Sequence, residues 1–288
     1  MTTAIKLKKS RKKLSNILTY LLLSLLGLLW ILPIAYLIYT AFRITPSTGI
    51  INTLFPANLK LGLDNFIRLF NDTMFSKWLI NTLLVAVCSC AISTVFILIV
   101  SYVLSRMRFK FRRPIMNVLL ILNMFPGFMS MIAIYFILKA MGLTNSLLAL
   151  ILVYSGSAAL TYYICKGFFD TIPKSMEEAA ILDGANQLVV FWKIILPLAK
   201  PIIVYTVLTS FIYPWCDFIF VNTIISDRNL YTVSLGLYKM INAEKNSFND
   251  NFTVFCAGAF IVGGIIVSLF MSMQKYYVEG VTAGSVKG

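Results

Sequence analysis

Ser175 and Glu178 stand three residues apart at the head of a mostly apolar stretch, followed by Gly184 and later by Pro197. A hydroxyl and a carboxylate at that spacing do capping chemistry: each accepts a backbone N–H at a helix start, which predicts a helix beginning at Met176. Gly184 suits the turn that ends such a helix, and residues 189–195 are apolar enough for a second short one. Pro197 would then stand near the start of the next long apolar run, where a missing N–H costs little. Two short helices with an apolar surface in need of a partner are the expectation. Reactive chemistry is scarce elsewhere. The chain has no His, which removes imidazole acid–base catalysis and His metal sites. Cys88, Cys90, Cys165, Cys216 and Cys256 lie in or beside apolar stretches and form no CxxC pair, so they read as small buried hydrophobes. No G-x-x-x-x-G-K-[ST] occurs, so the chain cannot cradle nucleotide phosphates as a P-loop does. No catalytic residue, metal ligand or cofactor of its own is expected, and the chain does not read as an enzyme.

The elements that must hold these residues are set by composition. Of 288 residues, 59% are hydrophobic and 12% charged, with a mean hydropathy of +0.85. Soluble domains carry about twice that share of charge, so the chain is read as an integral membrane protein. Six runs reach the ~20 residues that cross a bilayer: residues 17–42, 79–104, 115–140, 146–166, 198–222 and 254–277. The first follows a basic segment, residues 1–16, but is too long for a signal peptide and lacks a small-residue cleavage site, so it reads as a retained anchor.

Sorting Lys and Arg by side sets the orientation. The first segment, residues 106–113 and residues 166–200 are rich in them and the C-terminal end adds Lys275 and Lys287, while the acids divide evenly. By the positive-inside rule both ends are expected in the cytoplasm. The net charge of +14 is accounted for in this way and does not require a nucleic-acid partner. Residues 43–78 and 223–253 then form long outer connections, and residues 167–197 a long inner one.

That inner connection carries a resemblance. Glu178-Ala179-Ala180, three residues, Gly184, nine residues and Ile194-x-Leu196-Pro197 match the EAA motif of ABC-importer permeases at every defining position. With Asp183-Gly184-Ala185, the long first outer connection and the ending Tyr277–Gly288, the chain resembles permease subunits of binding-protein-dependent carbohydrate ABC importers, nearest the MalG-type maltose/maltodextrin subunits. The resemblance implies an all-α ABC type I importer permease fold: six transmembrane helices, both termini inside, a permease domain over 17–277 with its coupling loop at 167–197, and a cytoplasmic tail at 278–288. It implies that Glu178, Ala179, Ala180, Asp183, Gly184, Ile194, Leu196 and Pro197 couple to a cytosolic ATPase dimer. There Glu178 pairs and caps, the alanines allow close approach and Gly184 is a hinge. Glu279, Gly280, Thr282, Gly284 and Lys287 would touch the ATPase, which binds the ATP and Mg. Within 241–252, Asn242, Asn246, Asn249, Asp250 and Asn251 would reach an extracellular sugar-binding protein. A second, homologous permease subunit and membrane lipid complete the partners. The plainer readings stand beside these: Glu178 only caps, Gly184 only ends a helix, and the tail is frayed.

A neutral sugar is held by hydrogen bonds and aromatic faces. Asn81, Asn123 beside the Pro126-Gly127 break, Tyr154, Tyr205, Tyr213 and Asp217 are candidates to line its path, although small polar residues in spans more often serve close packing. Asp217 is the only acid within the spans. Proton- or sodium-driven carriers need more ionisable groups than that along their path, so a secondary carrier is the weaker alternative. The preferred reading is a subunit of an ATP-driven importer of maltose or maltodextrin working by alternating access. The same architecture serving another sugar or a polyol phosphate is the other alternative.

Overall fold

The computed structural model describes residues 2–44, 60–124, 127–156, 159–242 and 247–283, the side chains of 2–15, 247–250 and 276–283 excepted. Helix dominates because an apolar chain in an apolar surround must pair its backbone N–H and C=O groups within each segment. Helix α1 (Thr2–Phe42) ends in a two-residue antiparallel ladder, β1 (Arg43–Ile44) against β2 (Lys60–Leu61). Helix α2 (Asp64–Asn71) leads into α3 (Phe75–Arg106). Next come α4 (Arg112–Met124) and α5 (Gly127–Ala140), bent 104° from each other, then α6 (Leu147–Gly156) and α7 (Ala159–Thr171), bent 40°. Two short helices follow, α8 (Ser175–Leu182) and α9 (Gln187–Leu198), the latter containing one π turn over Phe191–Ile195. Helix α9 meets α10 (Lys200–Cys216) at 82°. The order closes with α11 (Ile219–Ile224), a 3₁₀ turn at Arg228–Leu230, α12 (Val233–Asn242) and α13 (Ser247–Ala283).

Asn16–Phe42, Phe75–Arg106 and Asn251–Lys275 are each long and apolar enough to cross a membrane, and the count rises to six if each bent pair is one span. The apolar runs 17–42, 79–104 and 254–277 thus fold as unbroken helix. The runs 115–140 and 146–166 are each divided between two helices, and Phe125, Pro126, Ser157 and Ala158 lie outside the described residues. The run 198–222 needs a larger correction. Its helix starts after the bend at buried Ala199 and stops at Cys216, because Asp217 is extended (ψ 114°) and starts α11 instead. Among their described residues, the connections 43–78 and 223–253 carry α2 and α12.

Helix α3 is the spine. One face packs against α6, α7, α10 and α12, and it is lined by small residues such as Ser89, Ser93 and Ser101. Small side chains let backbones approach and hydrogen-bond across the seam. Cys90 Sγ reaches the Val207 carbonyl at 3.5 Å, the Ser93 and Ser210 hydroxyls meet at 3.4 Å, and Ser101 Oγ donates to the Tyr162 carbonyl at 3.1 Å. Two buried clusters flank this seam. One gathers Phe75, Trp78, Trp215, Val233 and Val254 at the start of α3. The other gathers Leu98, Tyr102, Phe169, Phe191 and Ile195 at its end. Helix α1 differs: its apolar window is 0% buried, and it holds the body only near Phe42, which packs on Phe66 and Phe260. Asn65 ties that end down by donating to the Ala41 and Arg43 carbonyls at 2.9 and 2.8 Å. Apolar surface on that scale belongs against lipid or another subunit.

Gly236 of α12 lies so close to α3 that a Cβ there would come within 2.2 Å of the Trp78 ring. Gly236→Ala should therefore destabilise by about 1–3 kcal/mol, read as a lower unfolding temperature of the purified protein in detergent. Gly263→Ala, with open space around it, should leave that temperature unchanged. Equal temperatures for both variants would contradict the close α3–α12 packing.

Candidate functional site

The Arg106 end of α3 gathers the motif-bearing loop. Helix α8 begins at Ser175, not Met176, and its N-cap is Lys174 with no side-chain capping bond. The predicted capping box is absent because the preceding chain already turns: the N–H groups of Glu177 and Glu178 both donate to the Lys174 carbonyl at 2.9 Å. At the other end, Gly184 has φ +90°. Its N–H donates to Ile181 O at 3.0 Å and that of Ala185 to Ala180 O at 2.9 Å, a pairing that needs a left-handed residue. Asn186 then caps α9 by accepting from the Val189 N–H at 2.9 Å. Pro197 lies within α9 on the far side of the bend from α10, and Pro201 takes the place at the head of α10 foreseen for it.

Helix α8 turns its motif face outward. Glu178, Ala179, Asp183 and Gly184 are exposed and Ala180 half-buried, while Glu177 is the helix's one buried residue. Glu177 is ion-paired to Arg106 Nε, with both side chains nearly enclosed. Arg106 Nη2 also donates to the Ile172 carbonyl at 2.8 Å, Ser105 Oγ to Asp170 Oδ1 at 2.6 Å, and Tyr102 Oη to Gln187 Oε1 at 3.2 Å. In α9, Val190, Phe191 and Ile195 are the buried anchors, whereas Ile194 and Leu196 are half-buried and Pro197 is exposed. Leu182, Leu188 and Trp192 stand out at 88%, 69% and 61% exposure. The loop therefore offers two exposed motif carboxylates among apolar knobs.

The Phe75 end of α3 holds the opposite loop. Asn81 is buried, and its amide donates to the Asn229 and Tyr231 carbonyls at 2.9 and 3.0 Å; Thr82 Oγ1 accepts from the Val233 N–H at 2.8 Å. Asn81 thus ties two segments together and is not exposed to a path. Asp227 accepts from the Asn229 backbone and side-chain N–H, which hold its carboxyl below the usual range. Beside this clamp lies a cavity of about 560 Å³ whose charged lining is Arg68, Asp72, Arg228 and Lys239. Asn251 lines it too, donating to the Met240 carbonyl at 3.2 Å, while the Asn242 amide turns back to Tyr238 O at 2.9 Å.

Three of the proposed path residues do meet. Tyr154 Oη donates to Asp217 Oδ2 at 3.0 Å, and the Tyr154 and Tyr213 rings pack edge-on at 5.2 Å. With Gly127, Ser130 and Met131 they line a cavity of about 320 Å³. Asp217 also accepts from the Phe220 N–H at 3.0 Å, and its carbonyl accepts from Ser234 Oγ at 2.8 Å. Asn123 is exposed on α4 and Tyr205 half-buried on α10, and neither joins this cavity. Among the described residues, no group of His, Cys, Asp and Glu could hold a metal ion.

Residues 93–276 match the model of the family described as "Binding-protein-dependent transport system inner membrane component". The chain belongs to that family. The permease is 33% identical to the maltodextrin transport system permease protein MalD of Streptococcus pneumoniae, over 100% of both chains. It is 30% identical to the galactooligosaccharides transport system permease protein GanQ of Bacillus subtilis, over 97% of this chain and 98% of that one. It shares its fold, at 23% identity and a TM-score of 0.77, with a chain in the crystal structure of a bacterial ABC transporter involved in the import of the acidic polysaccharide alginate. That match covers 92% of this chain and 97% of the other. The permease is a multi-pass protein of the bacterial cytoplasmic membrane and a subunit of an ABC sugar importer.

Several residues singled out in the permease sequence have no described side chain. Asn246, Gly284 and Lys287 lie outside the described residues, and Asn249, Asp250, Glu279, Gly280 and Thr282 are placed by backbone alone, on α13. Glu177 and Arg106 escaped the sequence reading. The available signal was a pair of adjacent carboxylates on a short helix, whose side chains point about 100° apart and so need not share a face. Asp217 tests the arrangement at the Tyr154–Tyr213 cavity. Asp217→Ala removes the cap of α11 and the acceptor of Tyr154, and should cost about 1–2 kcal/mol. The expected readout is a lower unfolding temperature with faster amide exchange over 217–224; unchanged exchange there would refute the capping role.

Proposed function

We propose that the permease is one of two homologous membrane subunits of an ATP-driven importer of maltodextrin-type oligosaccharides, with six spans and both termini in the cytoplasm. What carries this reading is the end-to-end similarity to a maltodextrin permease, joined to a loop that presents Glu178, Ala179 and Gly184 on an exposed surface. A cytosolic ATPase dimer supplies the energy. It takes α8 and α9 into a cleft, Glu178 meeting a cation there and the exposed Leu182, Leu188 and Trp192 being covered. The C-terminal end of α13 makes a second contact with that dimer.

At the other end of α3, the loops around Asn229 and 241–252 face an extracellular sugar-binding protein. ATP-driven closure pushes the coupling element, the helices rock, and the path opens toward the loaded binding protein. Sugar passes along polar groups and aromatic faces, with Tyr154, Tyr213 and Asp217 as this chain's share. A second cargo reading keeps the machinery and exchanges the sugar for a galactooligosaccharide, which the similarity to GanQ favours.

Glu178→Lys and Gly184→Asp test the coupling role. Each should abolish ATP-dependent uptake of labelled maltotriose while leaving the amount of inserted permease unchanged, with the partner ATPase no longer copurifying. Uptake at the wild-type rate in either correctly inserted variant would sink the coupling assignment. Competition by unlabelled maltodextrin against galactooligosaccharide identifies the cargo.

A further inference from the structure

Helix α8 has little apolar anchorage: half-buried Ala180 is its one side chain packed on the cluster around Tyr102 and Phe191. Its one buried residue is Glu177, and the group that holds it is Arg106, the last residue of α3. A hydrophobic contact of the same volume would hold a static helix as well or better, since removing two charges from water is costly. An ion pair differs in being directional and in locking two bodies at one register. The same guanidinium also binds the Ile172 carbonyl at 2.8 Å, so it grips both α8 and the chain leading into it. Ser105 and Tyr102, within one turn, grip Asp170 at the end of α7 and Gln187 at the start of α9. The last turn of α3 thus reaches every segment of the coupling element, although it adjoins none of them in sequence.

We propose that Glu177 and Arg106 form the joint that transmits movement of the coupling helix to α3. The inference rests on the coupling role proposed above and adds the route inside this chain. Of two neighbouring carboxylates, Glu178 faces outward to the ATPase and Glu177 inward to α3, so one short helix links the two. Helix α3 then carries the displacement back from Arg106 to Thr82, Asn81 and Trp78, about 42 Å to the last of these at 1.5 Å per residue. Those residues hold the opposite loop through Arg228, Asn229, Tyr231 and Val233. Glu177 and Arg106 are positioning residues: they touch neither nucleotide nor sugar.

The test uses the tagged permease purified with its accompanying subunits and reconstituted in liposomes with the sugar-binding protein. Labelled maltotriose uptake and ATP hydrolysis are measured on the same vesicles. Glu177→Gln and Arg106→Gln should each lower uptake per ATP hydrolysed by roughly tenfold, with the ATPase still bound. Loss of folded complex alone would lower both rates together and leave their ratio intact. The exchange Arg106→Glu with Glu177→Arg should return the ratio to within about threefold of wild type. Arg106→Lys, which keeps the charge but replaces two separated donor nitrogens by one, should fall between.

An unchanged ratio in both Gln variants, or no recovery in the exchange, overturns the joint. If neither single variant assembles but the exchange does and transports, the pair stands; failure of the singles and the exchange to assemble reduces it to a folding contact and overturns the proposal. A wild-type preparation with no ATPase subunit and no ATP-dependent uptake is a different failure, that of the importer reading itself.

Discussion

A helix can carry displacement from one face of a membrane to the other only if it is stiff and tied at both ends to parts distant in sequence. Helix α3 meets both conditions. It is continuous from Phe75 to Arg106, and its terminal turns hold side-chain bonds to segments about 70 and 150 residues away. Between those ends the seam carries serine and cysteine contacts beside the buried Val85, Ile97 and Leu98. The other helices take their places from this one: α6, α7, α10 and α12 pack on it, and α8 and α9 hang from its last turn. The enclosed Arg106–Glu177 pair is where that dependence is sharpest, because losing either partner leaves a buried charge alone.

The sequence was most legible where hydropathy and motif spacing act alone. Apolar runs, the loop at 167–197 and the turn at Gly184 are all local signals, and a left-handed residue at a helix end needs no tertiary information. Features set by contacts distant in sequence were not legible. Ser175 looked like a cap, yet the turn at Pro173–Lys174 had already supplied the Lys174 carbonyl that Glu177 and Glu178 use. Asn81 looked like a path residue because an amide in an apolar run must serve something. Its two acceptors lie on a loop that only the fold brings near. Asp217 reads as a lone acid in a span, whereas its position ends one helix, starts another and accepts from Tyr154.

Asp217 also shows how a break in helix is tolerated within an apolar surround. Unpaired backbone groups there are costly unless protein covers them. The carboxylate takes the Phe220 N–H, the Asp217 carbonyl takes the Ser234 hydroxyl, and buried Trp215 and Phe220 close the surroundings. The break therefore pairs the Phe220 N–H and the Asp217 carbonyl within the protein and leaves the Tyr154–Tyr213 edge of the cavity for other use. Helix α9 solves a related problem by another means: the 82° turn into α10 falls at Ala199, small enough to be fully buried.

The protruding Leu182, Leu188 and Trp192 bear on how a copy of this chain fares without a partner. Side chains of that size, exposed on a short loop between helices, are what chaperones and proteases recognise in unfinished proteins. A copy whose loop is seated in a partner hides them; a surplus copy displays them continuously. Covering them takes apolar area out of water, so the side chains that favour assembly are the same ones that make a lone copy prone to stick to its neighbours.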